Sequence, residues 1–266
     1  MSDSVTRFRL SILTGQDQLD NNTPSRAGIR DEWAPRASVV SSLSGGARLD
    51  AREAKGEELT SLWLARAIYE LGGIEFGDFT LGRSTVNSPV HLNPKVLISN
   101  PHALRSAADL IHAETTSRAA MRHPHLGPFD LIAGVPLGGL HAATAFALRS
   151  DHSLIYVNPF TGNHPARIEG RYLPGQTVLV IDDLITTGGS VIKTAEALRQ
   201  AGLRVTDAVV LIDRDQGAAK RLHRIGVNLV SILKLTTILN FYMSEGWISE
   251  ANFKRSSEYI GSHQVE

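Results

Sequence analysis

Residues 178–190 read Val-Leu-Val-Ile-Asp-Asp-Leu-Ile-Thr-Thr-Gly-Gly-Ser, and they constrain the fold more tightly than any other stretch of the chain. Val178, Leu179, Val180 and Ile181 are apolar in succession and follow the breakers Pro174 and Gly175. A run with no polar alternation predicts a strand buried on both faces, as in a parallel sheet covered by helices. Asp182 and Asp183 fall at its carboxyl end, where ligands of open α/β sheets collect. Thr186, Thr187, Gly188, Gly189 and Ser190 then form a turn with hydroxyls and unobstructed backbone N–H groups, ahead of the helical spacing Val191, Ile192, Ala195, Leu198. An anion at that helix start meets oriented donors and the positive end of the helix dipole. A plain acidic helix cap would explain one aspartate. It does not call for two acids, two threonines and two glycines in this order, which suit a ligand carrying both a diol and a phosphate.

The rest of the chain supplies the sheet for that strand. Leu59, Leu62, Trp63, Ala67, Ile68 and Leu71 recur at helical spacing and stop at Gly72-Gly73, and a second helix starts at Pro101. Strands are predicted over 130–135, 154–157, 177–182, 208–212 and 229–233. Helices are predicted over 138–148, from the glycine turn to 201, and over 218–225, with a helical carboxyl-terminal segment at 236–257. Such alternation predicts an α/β fold, a mainly parallel five-stranded sheet with helices on both faces. Residues 1–55, rich in Ser, Asn, Asp and Arg and broken by Pro24, Pro35 and Gly45-Gly46, have no sustained period and read as a loosely ordered extension. A transit peptide fits them less well, because Asp17, Asp20, Asp31 and Glu32 are out of place in one.

Composition narrows the function classes. Lys plus Arg number 27 and Asp plus Glu 27, so the balance points to neither nucleic acid nor an anionic membrane surface. With no cysteine there is neither a disulfide framework nor a thiolate metal site. No run reaches the roughly 18 apolar residues of a membrane span, and the amino terminus lacks a secretory core, so a cytoplasmic location is expected. His112, His123, His125 and His164 show no paired helical spacing, so no dedicated metal site is expected.

The stretch 178–190 resembles the phosphoribosyl-pyrophosphate (PRPP) signature of the type I phosphoribosyltransferases. The resemblance implies that Asp182 and Asp183 bind the ribose hydroxyls and that Thr186, Thr187, Gly188, Gly189 and Ser190 bind the 5-phosphate. One βαβ step earlier, Val135, Pro136, Leu137 and Gly138, followed by Gly139, resemble the family's pyrophosphate loop. Taken alone, such a glycine turn serves geometry more often than ligand binding. Two further segments are similar to the orotate-specific branch. Residues 76–81 with Ser88-Pro89 resemble its amino-terminal hood, and residues 207–217, Asp-Ala-Val-Val-Leu-Ile-Asp-Arg-Asp-Gln-Gly, its fifth-strand motif. The branch implies that Arg214 holds the base's carboxylate, as a planar guanidinium does well; a surface ion pair with Asp213 or Asp215 is the competing reading. The implied layout is a phosphoribosyltransferase domain over 56–266: hood about 74–98, core about 100–234, helices 235–258.

Two segments depart from the orotate branch. Its basic loop, Arg-Lys-x-x-Lys-x-(His or Tyr)-Gly, corresponds to residues 156–167 here, about one residue shorter. Val157 and Asn158 replace the basic pair and the loop lysine falls near Thr161, leaving His164 and Arg167 as the remaining cations. In the hood, 81–84 read Leu-Gly-Arg-Ser, and Arg83 stands near the branch's lysine as a second candidate for binding orotate. The resemblance implies transfer of the phosphoribosyl group of Mg-PRPP to orotate, giving orotidine 5′-monophosphate and pyrophosphate in pyrimidine synthesis. Magnesium is expected to arrive with PRPP, held by substrate oxygens and water. A homodimer is implied, open to completion by a second, loop-bearing subunit. A weakened PRPP- or nucleotide-binding relative with a regulatory role, or a transferase for another base, are the alternatives left by these departures.

Overall fold

A computed structural model describes residues 60–81, 85–121, 126–160 and 167–264. The extension assigned to residues 1–55 lies outside the described residues. In chain order the elements are α1 (Ser61–Glu70), β1 (Ile74–Leu81), β2 (Thr85–Leu92), a 3-10 turn (Pro94–Ser99), α2 (Pro101–Ala119), β3 (Leu131–Gly134), α3 (Gly138–Ser150), β4 (Ser153–Asn158), β5 (Arg167–Glu169), β6 (Thr177–Ile185), α4 (Gly189–Gln200), β7 (Arg204–Asp213), α5 (Ala218–Arg224), β8 (Asn228–Lys234), α6 (Leu235–Ser244) and α7 (Glu250–Ser262).

The main sheet has the order β5-β4-β3-β6-β7-β8. Five neighbours, β4 through β8 by way of β3, β6 and β7, run parallel as the alternation predicts. A sixth strand corrects the five-stranded expectation: β5 adds antiparallel to β4, with Tyr156 opposite Glu169 and Asn158 opposite Arg167. Only three residues long and with Ile168 its single apolar side chain, β5 carries no readable period, and its partner strand alone fixes it.

The apolar run of β6 explains the layering. Leu179 and Ile181 join one core with Leu64 and Ile68 of α1, Ile111 of α2 and Phe146 of α3. Val178 and Val180 join the other with Val191, Ala195 and Leu198 of α4 and Leu222 of α5. Burying each such side chain stabilises the fold by about 1.5–3 kcal/mol. β6 also runs past the expected 182 to Ile185, because Asp182, Leu184 and Ile185 keep pairing with Val210, Ile212 and Asp213 of β7. The turn therefore opens only at Thr186. β7 begins earlier than expected, at Arg204, where the polar side chains of Arg204, Thr206 and Asp207 conceal the strand in the sequence.

The hood is the antiparallel hairpin β1–β2, with Ile74 opposite Leu92 and Phe76 opposite Val90. Val90 and Leu92 enter the same core as α1 and α2, and Ile74 and Phe76 pack against it, so the hairpin's base is fixed to the sheet domain. Asn100 caps α2 by accepting from the backbone of His102 and Ala103, and Pro101 starts it at a position whose N–H needs no partner.

Candidate functional site

Asp182 and Asp183 sit at the carboxyl end of the central strand, 6% and 8% exposed. Asp182 Oδ1 accepts from the backbone N–H of Asp183 at 2.9 Å. Asp183 Oδ2 is buried without a hydrogen-bond partner. Burial first, and then the neighbouring Asp183 charge, push the Asp182 carboxyl well above the ordinary carboxylate range, with Lys95 pulling the other way. Such a pair is satisfied by hydroxyl donors or by a cation brought in with a ligand.

Next to the pair, residues 184–191 and Lys193 line an open pocket of about 360 Å³ together with Asp182. Its floor is the start of α4, which has no side-chain cap. The first N–H groups of such a helix lack in-helix acceptors and face an anion directly. α5 holds the turn from behind: Arg221 Nη1 donates to the Thr187 carbonyl at 2.8 Å, and a Cβ on Gly188 would meet Leu222 Cδ1 at 2.5 Å. Gly188 also has φ +82°, which an L side chain adopts at a cost. Gly188→Ala is expected to destabilise the protein by about 1–2 kcal/mol, read as a lower urea midpoint at unchanged slope, and to weaken phosphate binding in the pocket.

The second turn, Val135, Pro136, Leu137 and Gly138, lies against the aspartates. Val135 N–H donates to the Ile181 carbonyl at 2.9 Å, and the Pro136–Leu137 peptide bond is cis. Any Cβ at Gly138 would overlap both carboxylate oxygens of Asp183, so only glycine lets the turn approach so closely. The two motifs, over forty residues apart in sequence, thus meet at the carboxyl end of the sheet.

Arg214 follows the last residue of β7, and its N–H donates to the Ile185 carbonyl at 3.0 Å, beside the end of the aspartate strand. It is 2% exposed. Nη2 donates to Ser88 Oγ at 3.0 Å and to the Val90 carbonyl at 3.4 Å, both in the hood, while Nε is buried without a partner. Burial lowers the guanidinium's pKa, opposed by Tyr259, yet arginine starts so high that it remains charged. The surface-pair reading is overturned. Asp215 instead pairs with Lys234 at 3.0 Å and accepts from Thr236, and Asp213 accepts from the N–H of Asp215.

Three residues here were not singled out from the sequence. His91 of β2 has a buried Nδ1 without a partner and its ring lies 5.4 Å from that of Phe79; burial lowers its pKa, Glu75 opposes this, and the charges of Arg214 and Lys95 act in the same direction as burial. Gln216, 2% exposed, has Oε1 unpartnered. Lys95 reaches to 3.9 Å from Asp183 Oδ2. Their signal is weak in sequence: His91 and Lys95 lie beside a quoted motif but outside it, and Gln216 stands inside the 207–217 motif without a charge to mark it. Of the remaining candidates, Arg83 and His164 lie outside the described residues. Arg167 is exposed at the start of β5 and its guanidinium engages Glu169 at 3.2 Å, so the structure does not bring it to the aspartate rim.

Residues 129–230 match the family model "Phosphoribosyl transferase domain". The orotate phosphoribosyltransferase of Pyrococcus furiosus is 36% identical over 172 residues, covering 64% of this chain and 90% of that protein. Bovine uridine 5′-monophosphate synthase is 32% identical over 199 residues, covering 74% of this chain but only 40% of its own length. Among solved structures, the orotate phosphoribosyltransferase of Aeropyrum pernix matches with a TM-score of 0.57 and 34% identity, covering 69% of this chain and 99% of that one.

Proposed function

The chain belongs to the orotate phosphoribosyltransferase family of type I phosphoribosyltransferases, and we propose on that footing that it transfers the phosphoribosyl group of PRPP to orotate. The observation that carries the base assignment is Arg214: a buried, charged side chain between sheet and hood with an Nε–H still in need of an acceptor. A planar carboxylate on the base satisfies that donor, and a base without one leaves it buried and unpaired.

In this reading the 186–190 turn holds the 5-phosphate, Asp182 and Asp183 hold the ribose hydroxyls, and Val135, Pro136, Leu137 and Gly138 face the pyrophosphate. The bond from the anomeric carbon to pyrophosphate breaks, its electron pair leaves with the phosphate oxygen, and the pyrimidine nitrogen attacks from the opposite face, its N–H proton passing to solvent. Asp182 and Asp183 lie close to the positive charge that develops on the sugar, and no covalent nucleophile is needed. Magnesium is read as a substrate-borne ion, toward which the buried, unpartnered Asp183 Oδ2 would be available as a protein ligand; among the described residues no group of three or more His, Asp or Glu is placed to hold a metal. When bound, magnesium neutralises diphosphate charge. A homodimer, open to a second loop-bearing subunit, and a cytoplasmic location belong to the same proposal; no helix among the described residues is long and apolar enough to cross a membrane.

The test of the site is Asp182→Asn combined with Asp183→Asn. PRPP affinity is expected to fall at least about tenfold, the loss of roughly 1.4 kcal/mol of charge-assisted bonding. Superimposable calorimetric titrations of the double variant and the unmodified protein would remove the aspartates from the site. A base panel scored by pyrophosphate release tests the reaction, with orotate expected to be used and uracil barely.

A further inference from the structure

We propose that Lys95 is the cation that takes up charge on the departing pyrophosphate within this chain. The inference rests on the PRPP reading of the site and adds a residue to it. Lys95 stands on the 3-10 turn Pro94–Ser99, between hood and core, where Pro94 and Leu97 are buried and the Asn93 N–H donates to the Gly73 carbonyl at 2.7 Å. Its backbone is therefore held while its side chain stays half exposed. The ammonium lies 3.9 Å from Asp183 Oδ2, an ion-pair distance beyond hydrogen-bond reach, so that contact consumes none of its donors.

The position of Asp183 carries the argument further. Its carboxylate packs against Gly138, so Lys95, beside Asp183 Oδ2, is linked to the 135–138 turn through that carboxylate. A diphosphate lying along the outer side of that turn, beside the aspartates rather than between them and the turn, would have Lys95 near its edge. As the anomeric C–O bond breaks, the electron pair settles on the pyrophosphate oxygen, and a fixed ammonium there offsets the added charge with no proton transfer. Val157 and Asn158, which take the places of the branch's basic pair, are uncharged.

Lys95→Met and Lys95→Arg separate this role from support of Asp183. Orotidine 5′-monophosphate carries the ribose and 5-phosphate but no pyrophosphate. The expected result for Lys95→Met is about tenfold weaker binding of PRPP and of inorganic pyrophosphate, unchanged binding of orotidine 5′-monophosphate, and a forward kcat lower by about ten- to a hundredfold, with part of each loss restored in Lys95→Arg. Equal losses for PRPP and the monophosphate would overturn the proposal, leaving Lys95 as a partner of Asp183. So would Lys95→Met behaving like the unmodified protein while both ligands still bind. If the unmodified protein binds neither ligand, the PRPP reading itself fails and this inference falls with it.

Discussion

Arg214→Ala is expected to lower kcat/KM for orotate by about a thousandfold or more while changing the KM for PRPP by less than about threefold. A thousandfold corresponds to about 4 kcal/mol, in the range for removing a buried charged partner of a carboxylate. The same side chain also braces the hood through Ser88 and Val90, so part of any loss could come from a displaced hairpin. Ser88→Ala is the control: it removes a hood contact and keeps the guanidinium. That variant is expected to retain most orotate activity. The second readout is discrimination. Uracil lacks the carboxylate and leaves the Arg214 Nε–H unpaired, so the unmodified protein should prefer orotate strongly, and Arg214→Ala should erase that preference. Equal use of orotate and uracil by the unmodified protein would point to a different acceptor base.

What could be read from sequence follows from how local each signal is. β6 was legible because four apolar residues in succession demand two covered faces, and Val178 and Val180 do lie in one core with Leu179 and Ile181 in the other. The aspartates and the glycine turn were legible because they are contiguous with that strand. Arg214 was legible as a candidate only through resemblance; its burial, which excludes a surface pair, is tertiary. Lys95 illustrates the limit. It meets Asp183 across 88 positions of sequence only because Val90, Leu92 and Leu97 pack the hood's base into the main core. No periodicity in 85–99 encodes that approach. β5 was missed for the complementary reason: three residues paired along one edge hold no pattern of their own.

Turnover by the homomer is expected to be slow, about a hundred- to a thousandfold below the order of 10 per second of an ordinary enzyme, while PRPP binding is retained. The reason lies at the end of β4. Val157 packs against the core beneath α4 and pairs with Ile168. Asn158 donates to Glu169 at 3.1 Å and accepts from the Phe160 N–H at 2.8 Å. Both positions that carry basic residues in the orotate branch are thus committed to holding the sheet edge, and Arg167 is engaged by Glu169. What turnover remains then leans on Lys95 and on backbone donors. Val157→Arg, Asn158→Lys and Thr161→Lys together are expected to raise kcat by about tenfold or more. A gain must outweigh the packing lost at 157 and the hydrogen bonds lost at 158, so thermal unfolding should be followed in parallel. Mixing the unmodified protein with a loop-bearing relative disabled at its own aspartates tests the alternative route, in which a second subunit reaches across a twofold interface; activity appearing only in the mixture would establish complementation. A full rate of about 10 per second from the unmodified homomer would mean that the cations already in the chain suffice, and the slow-turnover reading would then be abandoned.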